Sequence, residues 1–204
     1  MSEPYALVAR ITITSENLVR WLDSTIPSLE TWGEDWDAWW DRLDLSTHWR
    51  GSCCDPEGNA VRSHVGWLLN ERVVFGLPGL YGQSSYDEQT NVWSLLALEL
   101  TESRATMIEH LAPFRAAAAF SECHGEDYAA FTGYFYSCSA DYLPAVVTFA
   151  DGGSAMCLDH TNLAHVRKNI ESQFAQAERD KIMFPYLYDG TPPEGTPRVS
   201  DEQE

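Results

Sequence analysis

The feature that most limits how this chain can fold is the stretch WGEDWDAWWDRLDL at residues 32 to 45. Four tryptophans and five carboxylates share fourteen positions there with a single arginine. Indole rings need apolar neighbours, and carboxylates need water or a cation. Helical spacing reconciles the two demands. Trp32, Trp36, Trp39, Trp40 and Leu43 recur at intervals of three and four and share one side of a helix, while Asp37, Asp41 and Asp44 share the other. The tryptophans are therefore expected to face a core and the aspartates to face water. Like charges at these spacings repel by roughly a few tenths of a kcal/mol per pair, and the segment contains no lysine. A face that keeps this cost is a candidate surface for a cationic partner.

The rest of the chain continues the imbalance, with 31 acids against 13 bases, a net charge of −18, and only two lysines, Lys168 and Lys181. Such a charge disfavours nucleic acid and anionic membrane surfaces, and it speeds encounter with a basic protein. It also serves plain solubility. At 204 residues and 44% apolar composition the chain is long enough for one full hydrophobic core. The opening MSEPYALVARITI lacks the basic and apolar regions of a signal peptide, and no apolar run is long enough to span a bilayer. The five cysteines, Cys53, Cys54, Cys123, Cys138 and Cys157, are odd in number and lack the spacing of a disulfide framework. A reducing cytoplasm is the expected compartment.

Residues 5 to 13, YALVARITI, read as a first strand, followed by a helix capped by Thr14 or Ser15 and ended by Pro27. Residues 58 to 76 read as two strands joined near Asn70 and Glu71, residues 76 to 89 as a glycine-rich loop, and VWSLLALEL at 92 to 100 as a buried strand. Thr101 introduces a helix carrying Met107, Ile108, Leu111 and Phe114, which Pro113 kinks or divides. FTGYFYSC, PAVVTFA and GSAMCL read as three strands with turns at Ser139 to Asp141 and Asp151 to Gly153. Asp159 caps a last helix with Leu163, Val166, Ile170 and Phe174 on one face. Together these elements predict a single α+β domain over residues 1 to 187, with helices packed on a mainly antiparallel sheet. Residues 188 to 204 have the composition of a disordered acidic tail.

No reaction chemistry assembles from the motifs. Gly82 to Tyr86 begins like a nucleophile elbow but lacks its final glycine, and Gly76 to Gly82 lacks the Lys-Ser/Thr ending of a phosphate loop. Cys123-His124-Gly125-Glu126 holds the H-x-E of zinc deaminases without the second cysteine motif. His160 and His165, near Cys157, are five apart and face different sides of one helix. The vicinal Cys53 and Cys54, close to His48 and Arg50, leave a cysteine-dependent enzyme as the principal rival reading, with Cys54 or Cys123 as its nucleophile. No metal or cofactor is expected.

The TWG at Thr31 to Gly33, the tryptophan cluster behind it, and YFYSC at Tyr134 to Cys138 resemble a tryptophan-rich family of immunity proteins paired with restriction-endonuclease-like toxins of type VI secretion. More broadly, a small, acidic, tryptophan-rich α+β chain resembles the immunity proteins of bacterial polymorphic toxin systems. The resemblance spans most of residues 1 to 187 and implies stoichiometric inhibition of a cognate toxin that acts in the cytoplasm, such as a nuclease with a basic cleft. On that reading Glu34, Asp35, Asp37, Asp41 and Asp44 form the electrostatic contact. Trp39 and Tyr86 are its exposed aromatic anchors, because such residues dominate interface energetics. An adaptor or chaperone for a secreted protein, or a DNA mimic, would use a related surface to a different end.

Overall fold

The central strand, β1 (Tyr5–Thr12), sets the architecture, because both of its faces are apolar. Leu7, Ala9 and Ile11 join one core cluster, and Ala6 and Val8 join a second on the opposite face of the sheet. A strand that alternates between two cores must lie inside the sheet with a helical layer on each side. The computed structural model bears this out; it describes residues 5–43, 45, 47–70, 82–101, 103–122, 125–133, 143–159, 161 and 163–179. The calls at Ser139 to Asp141 and at residues 188 to 204 lie outside these.

The other strands are β2 (Gly82–Asp87), β3 (Val92–Thr101), β4 (Tyr128–Gly133), β5 (Ala145–Ala150) and β6 (Gly153–Met156). Among the described residues the sheet order is β2-β3-β1-β4-β5-β6, and every neighbouring pair runs antiparallel. Helices α1 (Ser15–Leu22), α2 (Gly33–Asp41), α3 (Val61–Asn70) and α4 (Arg104–Ala117) cover one face. Helix α5 (Ala164–Arg179) covers the other with Val166, Ile170 and Phe174, and Leu163 just before it packs in the same cluster. The α+β class expected from the sequence is the one observed. No helix among the described residues is long and apolar enough to cross a membrane.

Local chemistry explains most boundaries. The Thr14 side chain accepts from Asn17 N and caps α1. The β5–β6 turn is two residues, with Asp151 at φ 52° and Gly152 at φ 75° between the paired Ala150 and Gly153. Two successive left-handed residues match the twist of a tight hairpin.

Four expectations need correction. Residues 61–70, expected to be strand, are helix α3, because Val61, Val65 and Leu68 repeat at a helical interval and are all buried. The expected loop at 76 to 89 contains strand β2 from Gly82; its exposed Ser84 and Ser85 hide the alternation by which a strand is recognised. Pro113 does not divide α4, which runs unbroken through it from its Ser103 cap. The Pro113 carbonyl instead accepts a 3.0 Å hydrogen bond from Trp21 Nε1. Asp159 Oδ1 accepts from Thr161 N at 2.9 Å, two residues on, so its side chain engages the chain ahead of α5, which begins at Ala164, rather than capping the helix itself.

Candidate functional site

Helix α2 carries the segment with which the sequence reading began. Its stripe faces inward: Trp36, Trp39 and Trp40 are buried, and Trp32 and Leu43 pack against the same core. Trp39 is therefore not an exposed anchor. It is 2% exposed and donates from Nε1 to the Pro144 carbonyl at 3.2 Å, which ties α2 to the start of β5. Tyr86 is half-buried, and its hydroxyl lies 3.2 Å from the Ile13 carbonyl and 3.0 Å from Asn91 Oδ1, so its polar tip is engaged within the fold.

The acids divide into two groups. Glu34 and Asp41 are exposed. Asp35 and Asp37 are engaged by arginines from distant parts of the chain, which relieves the repulsion expected along the helix. Asp35 Oδ2 accepts from Arg115 Nη2 and, at 2.9 Å, from Met156 N. Arg115 also donates to the Ser154 hydroxyl at 3.2 Å and to its carbonyl at 3.0 Å. Its guanidinium carbon lies 4.5 Å from the Trp36 ring centroid and 4.9 Å from that of Trp32, in cation–π range. Burial lowers the Arg115 pKa to about 10, against the opposing pull of Asp35, and leaves the side chain cationic at neutral pH.

Asp37 Oδ1 accepts from Arg50 Nη1 and, at 2.7 Å, from Trp49 Nε1, and His48 Nε2 lies 3.7 Å away. The Arg50 guanidinium, assisted by Trp49 and His48, holds the Asp37 carboxyl below its ordinary pKa. Arg50 reaches Glu30 as well and stacks 4.5 Å over the Trp49 ring. Asp44 lies outside the described residues. Leu45 is 41% exposed and Leu158 39%, the latter two residues beyond the amide that Asp35 holds. Glu34 and Asp41 thus leave charge on the surface of α2, and Leu45, four residues past its end, leaves accessible apolar area.

A second acidic site, not foreseen from the sequence, lies where β1 ends. Arg10 Nη1 donates to Asp127 Oδ1 at 3.1 Å, and Arg10 Nη2 lies 3.5 Å from Glu126 Oε2. Asp127 is wholly buried, and the same oxygen accepts from Thr12 N at 2.9 Å and from the Thr12 hydroxyl at 2.8 Å. Arg10, Thr12, Thr90, Val92, Glu122 and Glu126 line a cavity of about 400 Å³ there. One signal for it was present in the sequence: Arg10 is the sole charged residue in an otherwise apolar strand.

The described cysteines of the rival reading sit in different surroundings. Cys53 is half-buried, and burial, reinforced by the charge of Glu109, pushes its thiol up to about 12, which suppresses the nucleophilic thiolate. Cys54 is exposed, and its backbone N–H donates to Glu109 Oε1 at 2.6 Å. Cys123 lies outside the described residues. Ser84 and Ser85 sit within strand β2, so Gly82 to Tyr86 does not form a strand-turn-helix elbow. Among the described residues no cluster of three or more His, Cys, Asp or Glu is arranged to hold a metal ion. Half-buried His64 and buried His110 lie with Nε2 and Nδ1 3.1 Å apart, and Trp67 stacks on His110 at 5.3 Å between ring centroids. Compared with known proteins, the chain matches no family model, no curated protein and no solved structure.

Proposed function

We propose that this chain is an immunity-type inhibitor that binds a basic, cytoplasm-acting toxin stoichiometrically and blocks it, a nuclease being the class whose cleft best suits an acidic ligand. The observation that carries this reading is the outer face of α2. Glu34 and Asp41 are exposed on α2, and Leu45, four residues past its end, is exposed as well, while the helix itself is fixed by buried tryptophans and the Asp35–Arg115 pair. A rigid scaffold carrying charge beside apolar area suits protein recognition, because little ordering entropy is lost on binding. The net charge of −18 supplies long-range attraction to a basic surface. Asp35 is committed to the fold and Trp39 is enclosed, so the contact rests on Glu34, Asp41 and the half-exposed Asp37.

The test is capture on the tagged chain from the cells that make it, followed by expression of the captured protein alone and together with the chain. Growth arrest by the partner alone, relieved by co-expression at equal stoichiometry, is the expected result. Replacing Glu34 and Asp41 with lysine should slow association and flatten its salt dependence. A captured partner that is harmless alone, or whose activity survives co-expression, would overturn the proposal.

A further inference from the structure

The last strand of a sheet offers its outward N–H and C=O groups to any chain able to pair with them. Among the described residues β6 is such a strand, bonded to β5 on one side and to no strand on the other. Cys157 N donates back to the Val146 carbonyl at 2.8 Å, so by alternation Ser154 and Met156 turn their peptide groups outward. Side chains take both positions. Met156 N donates to Asp35 Oδ2 at 2.9 Å, and the Ser154 carbonyl accepts from Arg115 Nη2 at 3.0 Å. Arg115 Nε also donates to the Ser154 hydroxyl at 3.2 Å, so the guanidinium grips that residue twice. Asp35 and Arg115 are bonded to each other as well. One ion pair, with its acid on α2 and its base on α4, thus supplies the acceptor and the donor that a further strand would supply. The indoles of Trp36 and Trp32, 4.5 Å and 4.9 Å from the guanidinium carbon, hold the base in place.

The two outward groups are self-complementary. When two such strands meet antiparallel about Ala155, Met156 N of each copy faces Ser154 O of the other, the pattern around a non-hydrogen-bonded pair. A twofold axis through Ala155 relates the copies, so one edge serves both. Ala155 is exposed and small, which leaves room on that axis. We propose that the Asp35–Arg115 pair is a plug that closes the β6 edge against antiparallel pairing with a second copy of this chain. The plug goes beyond the inhibitor reading and does not depend on it, because every group involved belongs to this chain.

The experiment compares wild type with D35A/R115M by sedimentation velocity over a range of protein concentrations, with thermal unfolding to show that both are folded. The double variant removes both members of the pair, so no cation is stranded, and methionine keeps an unbranched chain between the two indoles. Two chains of net charge −18 repel, so the runs are made at about 0.5 M salt, where screening is short-ranged. Wild type should keep one mass, and the double variant should approach twice that mass as its concentration rises. Adding A155K sets two lysines opposite each other across the axis and should restore the wild-type mass. Should the double variant fail to fold, R115M alone carries the same test, because it frees the Ser154 carbonyl without stranding a charge. In wild type, hydrogen exchange at the Met156 amide should be at least about tenfold slower than at an open amide. A folded variant that keeps the wild-type mass at every concentration would overturn the proposal. So would association that survives A155K, or a wild-type Met156 amide that exchanges as fast as an open one.

Discussion

Two ion pairs leave helix α2 two residues apart and end in opposite surroundings. The Arg115 side chain that meets Asp35 is 1% exposed, whereas the Arg50 side chain that meets Asp37 is 37% exposed. Asp35 lies three residues from Trp32 and four from Trp39, at the border of the tryptophan stripe; Asp37 lies toward the solvent side of the helix. The buried Arg115 has surrendered its hydration and depends on Asp35, on Ser154 and on two indole faces for compensation. The exposed pair shares its charge with water. Identical residue types in one segment therefore divide into an acid that holds the fold together and an acid that belongs to the surface. What separates them is the burial of the partner arginine, since the two carboxylates themselves are 33% and 36% exposed.

The largest consequence concerns Asp35. Asp35→Ala strands the buried Arg115 cation and deprives Met156 N of its acceptor, which should cost about 3–5 kcal/mol. The low end is the more apt, because the Asp35 side chain is itself 33% exposed. Arg115→Met should cost less than Asp35→Ala, since it leaves no charge in the interior without a counter-ion. Urea unfolding of both variants measures the difference. A loss below about 1 kcal/mol for Asp35→Ala, the value of a surface pair, would break the comparison.

The same contrast shows what a single sequence reveals. The inward stripe of α2, the first strand, the Asp151–Gly152 turn and the apolar face of α5 are local patterns, each complete within a few residues, and they were legible. Helix α3 was misread because its neighbourhood mixes valines with a helical interval, and strand β2 because its side chains are polar. The site was less legible than the fold. That Asp35 is a structural acid depends on Arg115, 80 residues away, and the engagement of Arg10 depends on Asp127, 117 residues away. Spacing along the chain carries no information about such pairs, because they are created by the sheet order and by the packing that brings Arg115 of α4 to Asp35. Trp39 was legible as core and still mistaken for an anchor, since one aromatic residue type serves both roles.

His64, packed against buried His110, sharpens the comparison by asking what burial does to a titratable ring. Burial pushes the His64 pKa down to about 4, from an ordinary value of 6.5. The unfolded chain therefore takes up a proton first as pH falls. Stability is full above about pH 6.5 and is lost progressively as pH drops toward 4. Between pH 7 and pH 5 the linkage amounts to about 2 kcal/mol for one such group. His110, which is 5% exposed, and Trp67 pack against the ring. His64→Gln should remove that share of the pH dependence whatever its effect at pH 7, as urea titrations of both proteins at the two pH values would show. Equal slopes in the two proteins would mean that burial of this ring does not govern its protonation.

The smallest expected effect is at the exposed pair, and it tests the comparison from the other side. Asp37→Asn keeps an oxygen for Trp49 Nε1 and removes only the charge that Arg50 and His48 share. Because water competes for each of these groups, the thermal midpoint should move by no more than about 2 °C. The shift should also shrink further as salt is raised, since screening acts on exposed charges far more than on enclosed ones. The cost of Asp35→Ala should persist at the same salt. A large, salt-independent loss in Asp37→Asn would mean that the Trp49–Arg50 stack closes over α2 in solution more fully than its exposure implies. Asp37 would then leave the proposed binding face and join Asp35 among the residues that hold the helix in place.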